Sequence, residues 1–153
     1  MMYQTRMETL PPIIVSGTEE RRLSALAAAA ELTGRTTNSA QTLLGEMNRA
    51  HVMADSEVPR GVVRMDSFVE FDIDGRYQQP VRLVYPAEAD ISRGKISVLT
   101  PIGAALIGLS AGQHMLVEAP DGKMHKVRVL SVMQPASRSS EAVLKVSSAA
   151  EVA

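Results

Sequence analysis

The chain has 153 residues, of which 45% are hydrophobic and 22% charged, and its formal net charge is −1 at pH 7. These proportions predict a globular protein of one or two domains and argue against disorder. Duplex DNA binding by the chain alone is not expected, because the basic excess that neutralises phosphates is missing. The lack of cysteine excludes disulfides and thiolate metal sites, and it favours a cytoplasmic location.

The N-terminal part begins with a predicted mobile end, residues 1–10, which has no long apolar run of the secretory kind. Residues 11–16 (PPIIVS) are predicted to be extended, because proline favours strand edges. Ser16 and Glu19 have the spacing of a capping box, which predicts a helix from about Gly17.

Two amphipathic helices are predicted to follow. The first carries apolar residues at helical spacing, namely Leu23, Leu26, Ala27 and Ala30. Gly34 is its predicted end, and Asn38 or Ser39 can cap the second helix. The apolar stripe of the second helix is predicted to comprise Ala40, Leu43, Leu44, Met47, His51 and Ala54. The short connection predicts an antiparallel hairpin with arms of about 16 residues, or about 24 Å.

Strand-like alternation replaces the helical period after Val62. Residues 69–73 alternate apolar and acidic side chains, and the Asp-Gly pair at 74–75 predicts a tight turn. Further strands are predicted at 81–85 and 95–99, and a second hairpin is predicted around the Asp-Gly pair at 121–122. The sequence thus predicts an α+β protein whose second part has four or five antiparallel strands and one short helix.

The short helix is predicted at 101–107, within the uncharged stretch LTPIGAALIGLSAG. Thr100 can cap it, Pro101 suits its first position, and Gly108 is a plausible end. Its apolar side chains are predicted to close the open face of the sheet. Ala104 and Ile107 are predicted to point elsewhere and to form, beside the rigid turn, a small apolar patch for a partner.

No catalytic motif emerges from the polar residues. His51 is predicted to pack on the second helix, whereas His114 and His125 could face each other across the second hairpin. Two histidines without nearby carboxylates make an incomplete zinc site, so no metal is expected. No triad motif or phosphate-binding loop is present, and no cofactor or small-molecule substrate is expected.

Seven basic residues of the second part, if they gather on one sheet face, would steer the protein toward nucleic acid or acidic surfaces, although such charges usually form a solvated face. They are Arg60, Arg64, Arg76, Arg82, Lys123, Lys126 and Arg128.

Several separated segments resemble, in the same order, the Gre-type transcript-cleavage factors of bacterial RNA polymerase. The matching segments are PPIIVSGTEERRLSAL (11–26), VPRGVVRMDSFVEF (58–71), VYPAEAD (84–90), ISVLTPIGAALIGLSAG (96–112) and VEAPDGKMHKVRVLSV (117–132). The chain departs from the usual family pattern at Thr100 and Gln113, where serine and aspartate are common. The combination is most similar to the short branch of this family called regulators of nucleoside diphosphate kinase.

The resemblance implies a fold and its boundaries. Residues 1–57 would form an N-terminal segment and a short antiparallel helical hairpin, or coiled coil. Residues 58–133 would form the Gre-type C-terminal domain, an immunophilin-like (FKBP-like) antiparallel sheet, and residues 134–153 a flexible tail. Gre factors carry a D-x-x-D-E arrangement at the hairpin tip that holds magnesium, whereas this chain has ELTGRTTNSAQ there, with Glu31 its one acid and Arg35 nearby.

The resemblance also implies a partner and a contact. In Gre factors the strand-to-helix loop contacts the rim of the polymerase secondary channel, which here implies a polymerase contact at Thr100, Pro101, Ile102 and Gly103. We therefore expect a non-enzymatic regulator of transcription elongation that competes with Gre factors, associates with DNA only indirectly and has no membrane role. The alternatives are a direct or indirect regulator of nucleoside diphosphate kinase and a peptidyl-prolyl isomerase.

Overall fold

The computed structural model describes residues 10–34, 37–119 and 121–135. Within them lie three α-helices: α1 (Gly17–Thr33), α2 (Thr37–Arg49) and α3 (Pro101–Leu106). The strands are β1 (Ile14–Ser16), β2 (His51–Met53), β3 (Phe68–Ile73), β4 (Arg76–Tyr77), β5 (Val81–Val84), β6 (Lys95–Ser97), β7 (His114–Glu118) and β8 (Met124–Met133). The α+β prediction is confirmed. The predicted mobile end lies outside the described residues except for Leu10, as does the predicted tail from residue 136 onward.

The helices of the hairpin begin and end largely where their capping residues predict. The Ser16 hydroxyl accepts a hydrogen bond from the Glu19 N–H at 3.1 Å, as expected of an N-cap. Gly34 adopts a left-handed φ of 73° and closes α1. The helix α2 begins at Thr37, so the prediction that Asn38 or Ser39 caps it is wrong, because both residues lie in its first turn.

The base of the hairpin is closed by a parallel pairing of β1 with β2, in which Ile14 is opposite His51. The His51 N–H donates to the Ile13 carbonyl at 2.9 Å, which pulls the chain out of the helix after Arg49. The predictions that His51 packs on α2 and that Ala54 continues its stripe are therefore wrong. His51 lies in β2 and its side chain is exposed.

The main sheet has the strand order β6-β5-β3-β8-β7, with β4 paired to β3. Both Asp-Gly turns are present, and Asp74, Gly75 and Gly122 adopt the positive φ angles that such turns need. The prediction of a wholly antiparallel sheet is wrong, because β6 runs parallel to β5. The chain between these strands crosses back through two 3₁₀ turns, Pro86–Glu88 and Ile91–Arg93, before it enters β6.

The helix α3 lies in the middle of the core rather than on its surface. The inner sheet face covers one side of the helix, and α2 packs against another. Ala104 and Ile107 are each 0% exposed, so the prediction of an apolar patch at these two residues is wrong. The helical hairpin supplies the layer that covers them.

The hairpin and the sheet are joined through Gly108. Its carbonyl accepts from the Ile14 N–H at 3.1 Å, and its N–H donates to the Val63 carbonyl at 2.9 Å. With a φ of 82° and only 2.9 Å between an added Cβ and the Ile13 Cβ, this position requires glycine.

None of the helices in the described residues has the length and apolar character needed to cross a bilayer.

Candidate functional site

The turn between β6 and α3 is held by two hydroxyl groups. Thr100 Oγ1 accepts from the Gly103 N–H at 3.0 Å and donates to the Ser97 carbonyl at 2.7 Å. Ser97 Oγ accepts from the Leu99 N–H at 3.0 Å. The predicted cap at Thr100 and the predicted proline at the first helical position are both confirmed. The turn is thus rigid before any partner binds.

Gly103 is buried beneath this turn. A Cβ at this position would lie 2.1 Å from the Ser97 carbonyl oxygen and 2.9 Å from the Val98 Cα. Both obstacles are backbone atoms, which cannot move aside as a flexible side chain can. Gly103 therefore serves the turn by letting two segments of backbone approach closely.

The surface that the turn offers to a partner is formed mainly by Pro101, which is exposed, and by the half-buried Ile102 and Thr100. The structure brings all four predicted contact residues into one turn, but Gly103 is buried and presents no side chain. The accessible part is small, rigid and uncharged. Such a surface can bind an apolar partner without first losing conformational entropy.

The hairpin end carries one carboxylate in the sequence 31–41, at Glu31. The Gly34 N–H donates to the Glu31 carbonyl at 3.2 Å, and the neighbouring Leu32 is 90% exposed. Arg35 lies outside the described residues. The helix α1 has 17 residues and α2 has 13. Among the described residues, no group of three or more His, Asp or Glu side chains is arranged to hold a metal ion.

A polar contact fixes the first turn of α1 to the sheet. Glu19 Oε2 lies 3.3 Å from Arg64 Nε, and Glu19 Oε1 accepts from the Met65 N–H at 3.4 Å. Arg64 also contacts Asp55, at 3.8 Å between Nη2 and Oδ1. Burial raises the pKa of the Glu19 carboxyl, while the Arg64 guanidinium and the Met65 N–H act in the opposite direction. The carboxylate is thus largely desolvated and depends on its cationic partner.

The capping-box spacing of Glu19 does not predict this contact, which joins residues far apart in the chain. The predicted N-cap forms at Ser16, but the Glu19 side chain turns to residues 45 and 46 positions away in the chain. Gln134 was also missed. Its amide donates to the Val62 carbonyl at 2.6 Å and accepts from the Ser67 hydroxyl at 2.6 Å, so it is tied to the sheet. Neither long-range contact leaves a local signal in the sequence.

The seven basic residues do not all gather on one sheet face, which was the less favoured of the two alternatives. Arg64 lies at the junction with the hairpin, where it is paired as described. Arg82 lies on the outer face, 5.1 Å over the Phe68 ring and 3.7 Å from Asp66. Arg128 is paired in register with Asp72. Carboxylates accompany these arginines, so the face is mixed in charge rather than basic.

The two histidines near the second hairpin do not face each other, contrary to the prediction. His114 is in register with Arg128, whereas His125 is in register with Val117, which places the histidines on opposite faces of the hairpin. His125 Nδ1 lies 2.6 Å from Asp74 Oδ2. This hydrogen bond raises the pKa of His125, and it lowers the pKa of Asp74. The pair ties the second hairpin to the first Asp-Gly turn.

A groove of about 750 Å³ runs between α2 and β7. Pro101 and Ala105 of α3 line it together with residues of the two flanking elements. Its walls contain a buried carboxylate, that of Glu46, which Arg49 binds at 2.6 Å and 3.0 Å. Since that carboxylate is already neutralised by an arginine, it is not available to a cation.

Comparison with known proteins places this geometry in a family. A family model described as transcription elongation factor, GreA/GreB, C-terminal, matches residues 58–134, the part that contains the turn and the sheet. The regulator of nucleoside diphosphate kinase of Escherichia coli is 34% identical over 123 residues, which is 80% of this chain and 89% of that protein. The chain belongs to the GreA/GreB family.

Other family members show how far the likeness extends. GreA of Thermodesulfovibrio yellowstonii is 34% identical over 93 residues, and the match covers 58% of that protein and 60% of this chain. A solved GreA/GreB structure from Nitrosomonas europaea superposes with a TM-score of 0.62 at 33% identity, covering 79% of this chain and 98% of that one. The family resemblance noted in the sequence is confirmed, and the fold is similar to that GreA/GreB structure.

Proposed function

We propose that this family member binds RNA polymerase and modulates transcription elongation without stimulating transcript cleavage. It is not an enzyme, takes no cofactor or small-molecule substrate, acts in the cytoplasm and meets DNA only through the polymerase. It competes with Gre factors at the secondary channel. The observation that carries the proposal is the hairpin end, where the sequence 31–41 contains a single carboxylate.

The chemistry of cleavage explains why one carboxylate is too few. A magnesium ion in a protein is held by carboxylates together with water or substrate oxygens, and a reaction at that ion also requires a positioned water molecule. Glu31 alone would have to hold the ion and orient the water. The other carboxylates of α1, Glu19 and Glu20, lie in its first turn, at the opposite end of the helix.

The polymerase contact is proposed at Thr100, Pro101, Ile102 and Gly103. The support is the rigid cap of the turn, the exposure of Pro101 and the position of the turn within the matched residues 58–134. Pro101 and Ile102 would touch the polymerase, while Thr100 and Gly103 would hold the turn in shape.

The experiment uses purified RNA polymerase in backtracked elongation complexes. We expect no shortening of the transcript by this protein, and a dose-dependent loss of cleavage when it is added together with a Gre factor. Shortened transcripts produced by this protein alone would contradict the proposal. Pro101→Asp should weaken polymerase binding at least tenfold, since it places a desolvated charge in an apolar contact.

A matched control is available at Pro86, another exposed proline at the first position of a helical turn. Aspartate is compatible with both positions, because a negative charge is favourable near a helix N-terminus. Because Pro86 lies outside the proposed contact, Pro86→Asp should leave polymerase binding unchanged. Equal binding by Pro101→Asp and wild type, with both proteins folded, would show that the contact lies elsewhere.

A second candidate function is regulation of nucleoside diphosphate kinase, directly or through transcription. It is favoured by the similarity to the Escherichia coli regulator, which extends over 80% of this chain. Capture of partners from lysate separates the two candidates, since polymerase subunits support the first and the kinase supports the second. An immunophilin-like sheet with isomerase activity stays a weaker proposal, because fold alone does not carry activity.

A further inference from the structure

The two edges of the main sheet differ in how they are protected. Beside β6, the backbones of Asp90 and Lys95 exchange two hydrogen bonds of 2.9 Å and 3.0 Å, so the preceding segment folds over that edge. At the other edge, β7 pairs with β8 on one side, and no strand of the described residues pairs with its other side. An unpaired edge is a template for another strand.

The register of β7 determines which backbone groups point away from β8. The Ala119 N–H donates to the Lys123 carbonyl at 2.9 Å, and the Gln113 carbonyl accepts from the Val129 N–H at 3.0 Å. In an antiparallel pair these bonds occur at every second residue. The N–H and C=O groups of His114, Leu116 and Glu118 therefore face the open edge, where they have no hydrogen-bond partner within the described residues.

Apart from the carboxylate of Glu118 at its end, the sequence of β7, HMLVE, carries few of the features that usually block an edge. It contains no proline, no lysine and no bulge, and the side chain at its centre, Leu116, is 49% exposed. Proteins commonly discourage edge pairing with such residues. As far as residues 10–34, 37–119 and 121–135 are concerned, the edge is thus open in both its backbone and its side chains.

The same five residues are complementary to themselves. When two β7 strands pair antiparallel about Leu116, residues with outward backbone groups meet each other, Leu116 with Leu116 and His114 with Glu118. This register forms six backbone hydrogen bonds and places a histidine opposite a carboxylate at both ends. A shift that centres the pair on His114 or on Glu118 sets like side chains against each other and leaves fewer bonds.

We propose that the β7 edge is the docking surface for a second copy of this chain, which joins the two sheets into one across a two-fold axis. The groove between α2 and β7 leaves space on the inner side of this edge for the side chains of the added strand. A contact of five residues per copy is small, so the association is weak and reversible.

The test is sedimentation velocity of the full chain over a hundredfold range of concentration, from about 5 µM upward, where weak dimers of small interface form. We expect a concentration-dependent shift from monomer to dimer. Leu116→Pro should weaken dimerisation at least tenfold, because it removes the two central N–H donors. The fold should survive, since this N–H faces away from β8. Leu130→Lys, on the exposed side of β8, is the matched control and should dimerise like wild type.

Charge exchange tests the register itself. Glu118→Lys sets lysine opposite the histidine of the second copy and should weaken dimerisation, whereas the double variant His114→Glu with Glu118→Lys should restore it. Amide exchange at Leu116 should slow at least tenfold as concentration rises, while the Met115 amide, already bonded to β8, should not change. A monomer at every concentration, a dimer insensitive to Leu116→Pro, or protection of Leu116 that is independent of concentration would overturn the proposal.

Discussion

Two helical glycines show how differently the two parts of the molecule are built. Gly103 in α3 is buried, and an added Cβ would meet the Ser97 carbonyl at 2.1 Å. Gly45 in α2 is exposed, and an added Cβ would meet nothing within 4 Å. The turn before α3 is a closed arrangement of backbone, whereas the outward side of the hairpin is open. The turn at Gly103, which lies within the part that matches the GreA/GreB family model, thus has no room for a methyl group, whereas α2 has room for one at Gly45.

The largest expected effect comes from placing the same methyl group at each glycine. Gly103→Ala should lower the free energy of unfolding by about 3 kcal/mol, because backbone atoms must move to admit the Cβ. Gly45→Ala should raise it by about 0.5–1 kcal/mol, because alanine has the higher helix propensity. Urea unfolding monitored by circular dichroism measures both. Equal effects of the two substitutions would remove the contrast between the two regions.

A smaller effect is expected where the two regions meet. Arg64→Ala should lower the free energy of unfolding by about 2 kcal/mol at neutral pH, because it leaves the desolvated Glu19 carboxylate without its cation. Glu19→Gln combined with Arg64→Ala should cost less than the sum of the single changes. Strictly additive costs in this double-mutant cycle would show that the two side chains do not interact.

The pKa of Glu19 gives this prediction a pH dependence. Because burial raises its pKa in the folded state, protonation of Glu19 favours folding, and the contribution is fully present below about pH 4.5 and is lost as pH rises through the folded pKa. The difference in the free energy of unfolding between wild type and Arg64→Ala should therefore narrow as pH falls through the folded pKa of Glu19, which lies above 4.5. A difference that stays constant between pH 3.5 and 7 would contradict this explanation.

The smallest effect on stability is expected from the hydrogen bond between His125 and Asp74, which joins the two Asp-Gly turns. The hydrogen bond to Asp74 raises the pKa of His125, so its contribution is present below about pH 6.5 and is lost as pH rises through the folded pKa. The urea midpoint of wild type should fall slightly between pH 6 and 8, and His125→Gln should flatten this fall. Asp74, whose pKa this hydrogen bond lowers, stays ionised over this range, and Asp121 Oδ2 lies 3.8 Å from Nε2 of the imidazole. An unchanged slope in His125→Gln would assign the pH dependence to another group.

Local signals predicted much of this fold. The caps at Ser16 and Thr100, the helix end at Gly34 and the two Asp-Gly turns each depend on chemistry within a few residues, and all were found as predicted. The four residues that the family resemblance predicts as a polymerase contact also lie in one turn, because they are consecutive in the chain. Their role as a polymerase contact stays a prediction.

The errors share a physical cause. The parallel pairing of β6 with β5 depends on the route of the chain from Pro86 to Arg93, and that of β1 with β2 joins segments on either side of the hairpin. Burial of Ala104 and Ile107 depends on a helix layer contributed from the other part of the chain. Such outcomes are set by tertiary packing, so amphipathic periodicity could not reveal them.

The parallel pairing at the foot of the hairpin has a mechanical consequence. The chain enters α1 directly from β1 and passes into β2 shortly after α2, so both feet of the hairpin are anchored side by side. Gly108 then bonds this anchor to the segment that leads into the sheet. Because the two helices are tied together at their base, a displacement of the far end of the hairpin would move both helices together instead of separating them.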